Sequence, residues 1–337
     1  SILDENFTGS VEELAATFVS EEKGVASAED AIEGAGHIVA EQFSENADLR
    51  KKARKDMFEK GVLFVSVTKD FEESRTKYEQ YYDYNEPVKS LPSHRILAIR
   101  RGETEKVLKS KIEINREELQ EKMKSLLFTT SHPNAEYLDR FLEDAMKRLV
   151  LPSIELDIQA ELKKVADLEA IGVFAANLEK LLLSSPAGNL RVLGVDPGYR
   201  TGCKLIALDE TGKLLDNTAI YPTKPFEKTE EAEKVVKEFL EKYKIEAVAI
   251  GNGTASRETL TFFKKIVPGD VIVMVVSEAG ASVYSASEAG REEFPEKDVT
   301  VRGAVSIGRR FQDPLSELVK IEPKSIGVGQ YQHDVDQ

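Results

Sequence analysis

An aspartate at the end of a buried strand is the first sign of chemistry in this sequence. Asp196 follows the apolar run 192–195 and opens the turn 196–202, whose sequence is DPGYRTG. A carboxylate beside a glycine-rich turn can hold a divalent cation while backbone N–H groups approach a phosphate. Two-metal phosphoryl chemistry needs several carboxylates, because two cations about 4 Å apart require anionic ligands between them. A lone aspartate would merely cap the turn, but the order of the strands around Asp196 favours a site.

Three other positions bear on such a site: Asn252 is expected to weaken it, and Asp313 and Glu278 could complete it. The fourth strand of the same domain ends in Gly251 and Asn252, where a glutamate or aspartate would be needed. Asn252 offers only a neutral carbonyl, so binding of Mg²⁺, which relies on carboxylates, should weaken. Asp313, near the end of the last long helix, is expected to supply a third acid. Glu278, after the fifth strand, is a substitute for the missing acid, although it starts about 10 Å from Asp196 when strands lie about 4.8 Å apart.

The expected catalytic residues and metal ligands are therefore Asp196 and Asp313. The metal, if one is bound, would be Mg²⁺ or Mn²⁺, and the sequence requires no other cofactor. Basic residues near these acids are expected to contact the phosphates of a nucleic acid: Arg200, Lys204, Arg302, Arg309 and Arg310. Alternatively, the last three would pair with nearby acids, namely Glu292, Glu293 or Asp313.

The elements that must position these residues are predicted from about residue 190 to about residue 321. Three strands joined by hairpins precede alternating helices and strands, which is the order of the α/β ribonuclease-H-like fold, a mixed sheet of order 3-2-1-4-5 with helices on both faces. The predicted strands are 192–195, 204–208, 214–220, 247–250 and 271–276, and the helices between them are 229–243 and 256–266. Asp196 would then end the central strand.

The rest of the chain is predicted to be mainly α-helical, so the protein is multidomain. Apolar residues at helical spacing indicate helices between residues 11 and 60, and a long helix over 135–183 that Pro152 should kink or divide. A small antiparallel sheet is expected between them, with strands at 63–68, 96–100 and 107–114. The predicted divisions are a helical region with this small α+β unit (1–132), a long helical connector (133–187), the ribonuclease-H-like domain (188–322) and a linker (323–337).

Composition limits the class of protein and its partners. Hydrophobic residues make up 41% of the chain and charged residues 31%, as in globular proteins. The net charge of −14 disfavours strong nucleic-acid binding, since that affinity comes largely from Lys and Arg. No apolar run approaches the roughly 20 residues of a membrane helix, residues 1–6 do not begin a signal peptide, and the single Cys203 cannot form an internal disulfide. We therefore expect a cytoplasmic protein with no membrane partner.

Several long motifs resemble the Tex family of bacterial transcription accessory proteins, and the resemblance covers essentially the whole chain. The motifs are 81–87 (YYDYNEP), 147–154 (KRLVLPSI), 196–202 (DPGYRTG), 250–256 (IGNGTAS), 277–287 (SEAGASVYSAS) and 327–335 (GVGQYQHDV). The resemblance implies a YqgF-type ribonuclease-H-like domain that is considered catalytically degenerate in this family.

The same resemblance implies how the protein binds its partners. This chain would be the middle of a longer protein, in which helix-hairpin-helix elements and an RNA-binding OB-fold domain follow. RNA or single-stranded DNA would bind mainly through those absent C-terminal modules, and the transcription machinery is a further expected partner. We therefore expect a transcription accessory factor that acts as a nucleic-acid-associated scaffold.

Three other functions are left open by the residues themselves. A metal-dependent nuclease resembling Holliday-junction resolvases would need a further acid, which Glu278 or Glu258 would have to supply. A sugar-kinase or actin-like ATPase is suggested by the Asp-x-Gly turn and by the glycines at 251 and 253, but one copy of this domain cannot enclose a nucleotide. The remaining alternative is a plain protein-interaction module.

Overall fold

Side-chain caps set the helix starts in the first part of the protein. In the computed structural model, which describes residues 1–7, 9–129, 131–332, 334 and 335, Ser27 accepts a hydrogen bond from the N–H of Asp30, and Asn46 accepts one from the N–H of Leu49. A first compact unit spans Ser1–Glu169. Its elements are α1 (Val11–Ala16), α2 (Ala28–Glu45), α3 (Ala47–Lys60), β1 (Val62–Val67), β2 (Asp83–Pro87), α4 (Ser93–Thr104), β3 (Leu108–Glu113), α5 (Arg116–Leu127), α6 (Ala135–Asp144) and the start of α7 (Leu151–Leu182).

The small sheet has the order β2-β1-β3, and both pairings are antiparallel. The prediction of a strand at 96–100 is wrong, because these residues lie in α4, which Pro92 precedes as the N-cap. Ile96 and Ile99 are buried three residues apart, a helical spacing that the short apolar run leaves indistinguishable from a strand. The third strand is instead β2, which lies in the tyrosine-rich segment.

The long helical stretch continues past Pro152 without dividing. A π-helical segment, Ala145–Val150, joins α6 to α7, and Pro152 is the second residue of α7. Proline lacks the N–H that would bond to the preceding turn, and a local π-helical segment is one way to accommodate that loss. Within α7, Ile154 and Ile158 are buried, whereas Leu168 is exposed. Among the described residues, no helix is long and apolar enough to cross a membrane.

The second compact unit, Ala170–Gln337, confirms the predicted fold class. Its five-stranded sheet has the order β6-β5-β4-β7-β8; β5 is antiparallel to both of its neighbours, and β7 is parallel to β4 and β8. The elements are β4 (Val192–Asp196), β5 (Cys203–Leu208), β6 (Leu214–Ile220), α8 (Thr229–Tyr243), β7 (Ala247–Gly251), α9 (Ser256–Ile266), β8 (Ile272–Val276), α10 (Ala281–Ala286), α11 (Glu288–Glu293), α12 (Val299–Gln312) and α13 (Pro314–Leu318).

Helices cover both faces of this sheet. On one face, Val236 of α8 and Phe263 of α9 are buried against apolar side chains of the strands. On the other face, Val301, Ala304 and Val305 of α12 are buried against β5. The central strand is therefore shielded from solvent on both sides, as a parallel or mixed sheet of this kind requires.

The last turns of α7 pack with the second unit. Leu178 and Leu181 contact a small apolar cluster that contains Tyr284 and Ile321. The contacts therefore divide the chain between Glu169 and Ala170, earlier than the polar segment 184–189, and the finer four-part division stays a prediction. Within the motif 327–335 and the segment 323–337, residues 333, 336 and 337 lie outside the described residues.

Two glycines of α2 provide a test of the packing. A Cβ on Gly36 would overlap the ring of Phe141 in α6, whereas Gly34 has open space around it. We expect Gly36→Ala to lower the free energy of unfolding by about 1–3 kcal/mol, because overpacking forces neighbouring groups apart. Gly34→Ala, the matched control, should raise it by about 1 kcal/mol through helix propensity. Urea unfolding followed by circular dichroism measures both, and equal effects would contradict the α2–α6 packing.

Candidate functional site

Asp196 lies at the carboxyl end of β4, where α12 crosses the sheet. Gly194 lets this helix approach closely, since a Cβ there would lie 2.8 Å from the carbonyl oxygen of Ala304. Burial is the main cause that raises the pKa of Asp196 to about 6; the negative charge of Glu278 adds to the effect, and Lys204 opposes it. Asp196 is therefore a poorly solvated carboxyl group with a second carboxylate near it.

Glu278 reaches Asp196 across the end of β7. A Cβ on Gly251 would lie 2.7 Å from Oε2 of Glu278 and 3.3 Å from Cδ of Pro197, and a Cβ on Gly253 would overlap Oε1 of Glu278. The Glu278 carboxylate thus occupies the space that side chains following β7 would otherwise fill. The separation of about 10 Å between β8 and β4 does not prevent the interaction, because the glutamate side chain spans part of it.

Two side chains fix the loop that carries Glu278. Oδ1 of Asn252 accepts a hydrogen bond from the backbone N–H of Glu278 at 3.0 Å. Nη1 of Arg310 donates to the carbonyl oxygens of Ser277 and Ala279, on either side of Glu278. Arg310 is 3% exposed, and burial lowers its pKa to about 10 although nearby glutamates oppose this. Asn252 therefore positions a carboxylate from β8 rather than pointing its own side chain at Asp196.

The structure does not bring Asp313 to Asp196. Gly303 of α12 lies close to the acid, since a Cβ there would be 3.6 Å from Oδ2 of Asp196. Asp313 follows ten residues later, about 15 Å along the helix at 1.5 Å per residue. It caps α13 by accepting hydrogen bonds from Ser316, which lower its pKa, and it lines a cleft of about 640 Å³ together with Gly188 and other residues at the opposite end of the sheet.

The donor set does not fit a two-metal centre. Asp196 and Glu278 supply two carboxylates, while Mg²⁺ and Mn²⁺ in such centres are held by a larger set of anionic ligands. Within the described ranges, no group of three or more Asp, Glu, His or Cys side chains is placed to hold a metal ion. At most, the pair could contribute two ligands to a single divalent cation.

Three arginines that the sequence places near phosphate are used by the fold itself. Arg302 is 9% exposed, and its Nη1 donates to the carbonyl oxygen of Ser285 at 2.8 Å. Nε of Arg309 donates to the carbonyl oxygen of Gly212 at 2.9 Å, and its guanidinium group forms an ion pair with a glutamate of α11. Arg310 is bonded to the loop after β8, as described above. Arg302 and Arg310 are buried and bond to backbone carbonyl oxygens, although Nε and Nη2 of Arg310 have no hydrogen-bond partner among the described residues, so neither side chain faces solvent where a phosphate would approach.

Arg200 and Lys204 remain at the same end of the sheet as the acid pair. Arg200 is exposed in the turn that follows Asp196. Lys204 lies opposite Asp196 in the β4–β5 pairing, and its Nζ donates to the carbonyl oxygen of Thr201 at 3.1 Å. Contact of Arg200 and Lys204 with the phosphates of a nucleic acid stays a prediction.

Two features of the site escape sequence reasoning. One is the role of Gly303, which leaves α12 without an acid where the helix faces Asp196. The other is the use of Arg310 to hold the Glu278 loop. The glycines on either side of Asn252 are the available signal, because a strand that ends in two small residues leaves room for a neighbouring side chain.

Comparison with known proteins shows which family of sequences this chain resembles over most of its length. Residues 190–312 match the model of the Tex protein YqgF-like domain, and residues 6–174 match the model of the Tex central region. The chain is 50% identical to Bacillus subtilis "Uncharacterized protein YdcI", 42% identical to Neisseria gonorrhoeae "Transcriptional accessory protein Tex", and 37% identical to human "S1 RNA-binding domain-containing protein 1". These matches cover 96%, 97% and 94% of this chain but 46%, 44% and 33% of the three relatives, so the chain spans less than half of their length.

The coupling between the two carboxylates can be measured directly. Glu278→Gln should lower the pKa of Asp196 from about 6 toward its ordinary value of 3.8, because it removes the neighbouring negative charge while leaving burial in place. Titration of ¹³C-labelled aspartate carboxyl groups by NMR reports this pKa. Glu258→Gln is the matched control, since Glu258 interacts with Tyr199. An Asp196 pKa that is unmoved by Glu278→Gln would contradict the proximity of the pair.

The raised pKa also predicts how stability depends on pH. The folded state holds the Asp196 proton more tightly than the unfolded chain, so stability falls as pH rises from about 4 to about 6 and the loss is complete above that range. Asp196→Asn should therefore raise the free energy of unfolding by about 1–3 kcal/mol at neutral pH and change it little at about pH 4.

Asp209→Asn is the control of opposite sign. Burial opposes ionisation of Asp209 most strongly, but hydrogen bonds from Thr211 and from the N–H of Lys213 outweigh it and lower the pKa. This substitution should therefore destabilise the protein at neutral pH. Denaturant unfolding at the two pH values separates the variants, and destabilisation by both at neutral pH would contradict the assignment for Asp196.

Proposed function

This chain belongs to the Tex family, and from that premise we propose that it serves transcription in the cytoplasm as a nucleic-acid-associated scaffold whose ribonuclease-H-like domain does not cleave its partner. The observation that carries the proposal is the composition of the site at the end of β4. Of the three directions from which acids would converge, β7 contributes Gly251, α12 contributes Gly303, and β4 alone contributes Asp196. Glu278 restores one carboxylate, which leaves the set too small for two-metal hydrolysis.

The burial of Asp196 supports the same function. With a pKa of about 6, Asp196 is poorly stabilised as an anion, because the positive charge of Lys204 offsets only part of the effect of burial and of Glu278. In an efficient metal site the ligating carboxylates are held ionised by hydrogen bonds that also orient them. The Asp196 side chain is instead placed where desolvation opposes its charge. We infer that the pair persists as part of the packing between β4, β7 and β8.

Nucleic-acid association is the second element of the proposal. The described surface around the acid pair offers Arg200 and Lys204, and the whole chain carries a net charge of −14. Such a surface supports weak binding, because affinity for nucleic acids grows with the number of phosphates neutralised. The name of the human relative refers to S1 RNA-binding, which is consistent with RNA as the partner of the longer proteins. Contact with the transcription machinery is proposed on the name of the Neisseria relative.

A metal-dependent nuclease resembling Holliday-junction resolvases is the alternative function. The observation that favours it is the approach of Glu278 to Asp196, which gives a divalent cation two carboxylate oxygens to bind. Such a cation would supply Lewis-acid activation of a phosphate, while Lys204 would offset part of the charge. Asp313 plays no part in this alternative because it lies at the other end of α12.

Single-turnover cleavage assays distinguish the two functions. The substrates are end-labelled single-stranded RNA and four-way DNA junctions, with Mg²⁺ or Mn²⁺, and the proteins are the wild type, Asp196→Asn, Glu278→Gln and the control Asp209→Asn. We expect no cleavage above background by any of them, because the acids needed for two-metal chemistry are missing. Cleavage by the wild type and Asp209→Asn that disappears in Asp196→Asn and Glu278→Gln would establish the nuclease instead.

A further inference from the structure

An apolar groove lies between α1 and α2 in the first unit, far in sequence from the acid pair. Its volume is about 550 Å³. Residues at helical spacing form its walls: Val11, Leu14, Ala15 and Phe18 on and just after α1, and Ala31, Ile32, Ala35, Ile38 and Val39 on α2, together with Ile2, Leu3 and Val25. The two helices therefore present parallel rows of apolar side chains with a furrow between them.

The groove is open to solvent at its most apolar positions. Phe18 is 64% exposed and Ile38 is 61% exposed. Leu3, which lines the groove, and Val19, which follows Phe18 in the chain, are also exposed. A continuous patch of large apolar side chains that is rimmed by polar residues is a mark of an interaction surface, whereas isolated exposed apolar residues are ordinary.

The segment that forms the groove is strongly acidic overall, and among the described residues the two charged side chains that line the groove itself are Asp30 and Lys23. Residues 1–45 contain eleven Asp and Glu residues and one lysine, Lys23. All of these carboxylates are on exposed residues, and in the ranges that the structure describes no ion pair joins them to a lysine or arginine. Hydrogen bonds from Ser10 and Tyr137 lower the pKa of Glu12 to about 2, so this charge is present throughout the physiological range.

Helical geometry places some of these acids beside the apolar row. Asp30 lines the groove itself. On α2, Asp30, Ile38 and Glu41 are separated by eight and three residues, so they fall on one side of the helix, next to the furrow. A ligand that buries apolar groups in the furrow would therefore bring its flanks close to carboxylates.

We propose that this groove binds a basic amphipathic helix of a protein partner. An apolar stripe on that helix would cover Phe18 and Ile38, and its lysines or arginines would face the carboxylates of this segment. A helix is the fitting shape, because two helix surfaces make the walls and the groove-lining residues offer no strand edge for an extended peptide. A nucleic acid or an anionic membrane is disfavoured, since each would bring negative charge to an acidic segment.

A designed peptide tests this proposal without knowledge of the natural partner. The probe is a fluorescein-labelled peptide of about 18 residues, long enough for five helical turns, with Leu at helical spacing and Lys elsewhere. Two matched probes are the same pattern with Glu in place of Lys, and a scrambled Leu/Lys peptide. We expect the 337-residue protein to bind the first probe in fluorescence-anisotropy titrations, more weakly as salt is raised, and to bind the matched probes at least about tenfold less tightly.

Variants locate the binding surface. Ile38→Asp should weaken binding about tenfold or more, because it places a charge in the apolar furrow. Leu126→Asp on α5 is the matched control: Leu126 is also exposed, does not line the groove, and should leave binding unchanged. Both substitutions are at solvent-exposed positions, and denaturant unfolding curves should be measured to check that both variants are folded. The double substitution Asp30→Lys and Glu41→Lys should weaken binding of the basic probe and strengthen binding of the acidic probe.

Several results would overturn the proposal. Equal binding of the acidic and basic probes, or binding that Ile38→Asp does not change, would rule out this groove as a site for a basic helix. Concentration-dependent dimerisation that Ile38→Asp abolishes would make a second copy of the chain the occupant. Binding of the probe to this chain but not to a longer form of the protein would mean that the protein's own residues cover the groove.

Discussion

The close packing of α12 against the central strand determines the arrangement of the second unit. Gly194 of β4 and Gly308 of α12 have no side chains, and a Cβ on Gly308 would lie 2.8 Å from Cδ1 of Leu208. Because the backbones come this near, the polar groups of the helix reach loops at both ends of the sheet. Arg310 bonds to the loop after β8, and Nε2 of Gln312 donates to the carbonyl oxygens that precede β4 and end β5.

That packing also explains why a carboxyl group with an unfavourable charge is retained at Asp196. A buried acid beside a second acid lowers stability when both are ionised. The site tolerates this because its other parts are firmly built: Glu278 lies over Gly251, and its loop is bonded to Asn252 and to α12. Glu278, which follows the edge strand β8, thus supplies a carboxylate in place of one from β7. It can do so because Gly251, at the end of β7, has no side chain to block it.

Much of the second unit follows from sequence, because buried strands in a mixed sheet are short continuous apolar runs and its hairpins have clear turns. The prediction of a strand at 96–100 is wrong because a short apolar run does not distinguish a buried helix from a strand. The site is harder to predict. Sequence distance along α12 does not reveal which residue faces Asp196, so Asp313 is a plausible candidate until the helix is placed. Likewise, neither the burial of Arg310 nor the reach of Glu278 across β7 is visible before neighbouring strands are assembled.

The continuity of α12 has a mechanical consequence. One end of this helix touches the acid pair through Gly303, and the other lines the cleft that contains Arg309 and Asp313. A helix wedged against a strand at glycine contacts has little freedom to bend and moves as a single rod. We therefore expect a displacement of its last turn to shift Gly303 relative to Asp196 and to move the loop that Arg310 holds. The helix would in this way couple the two ends of the sheet mechanically.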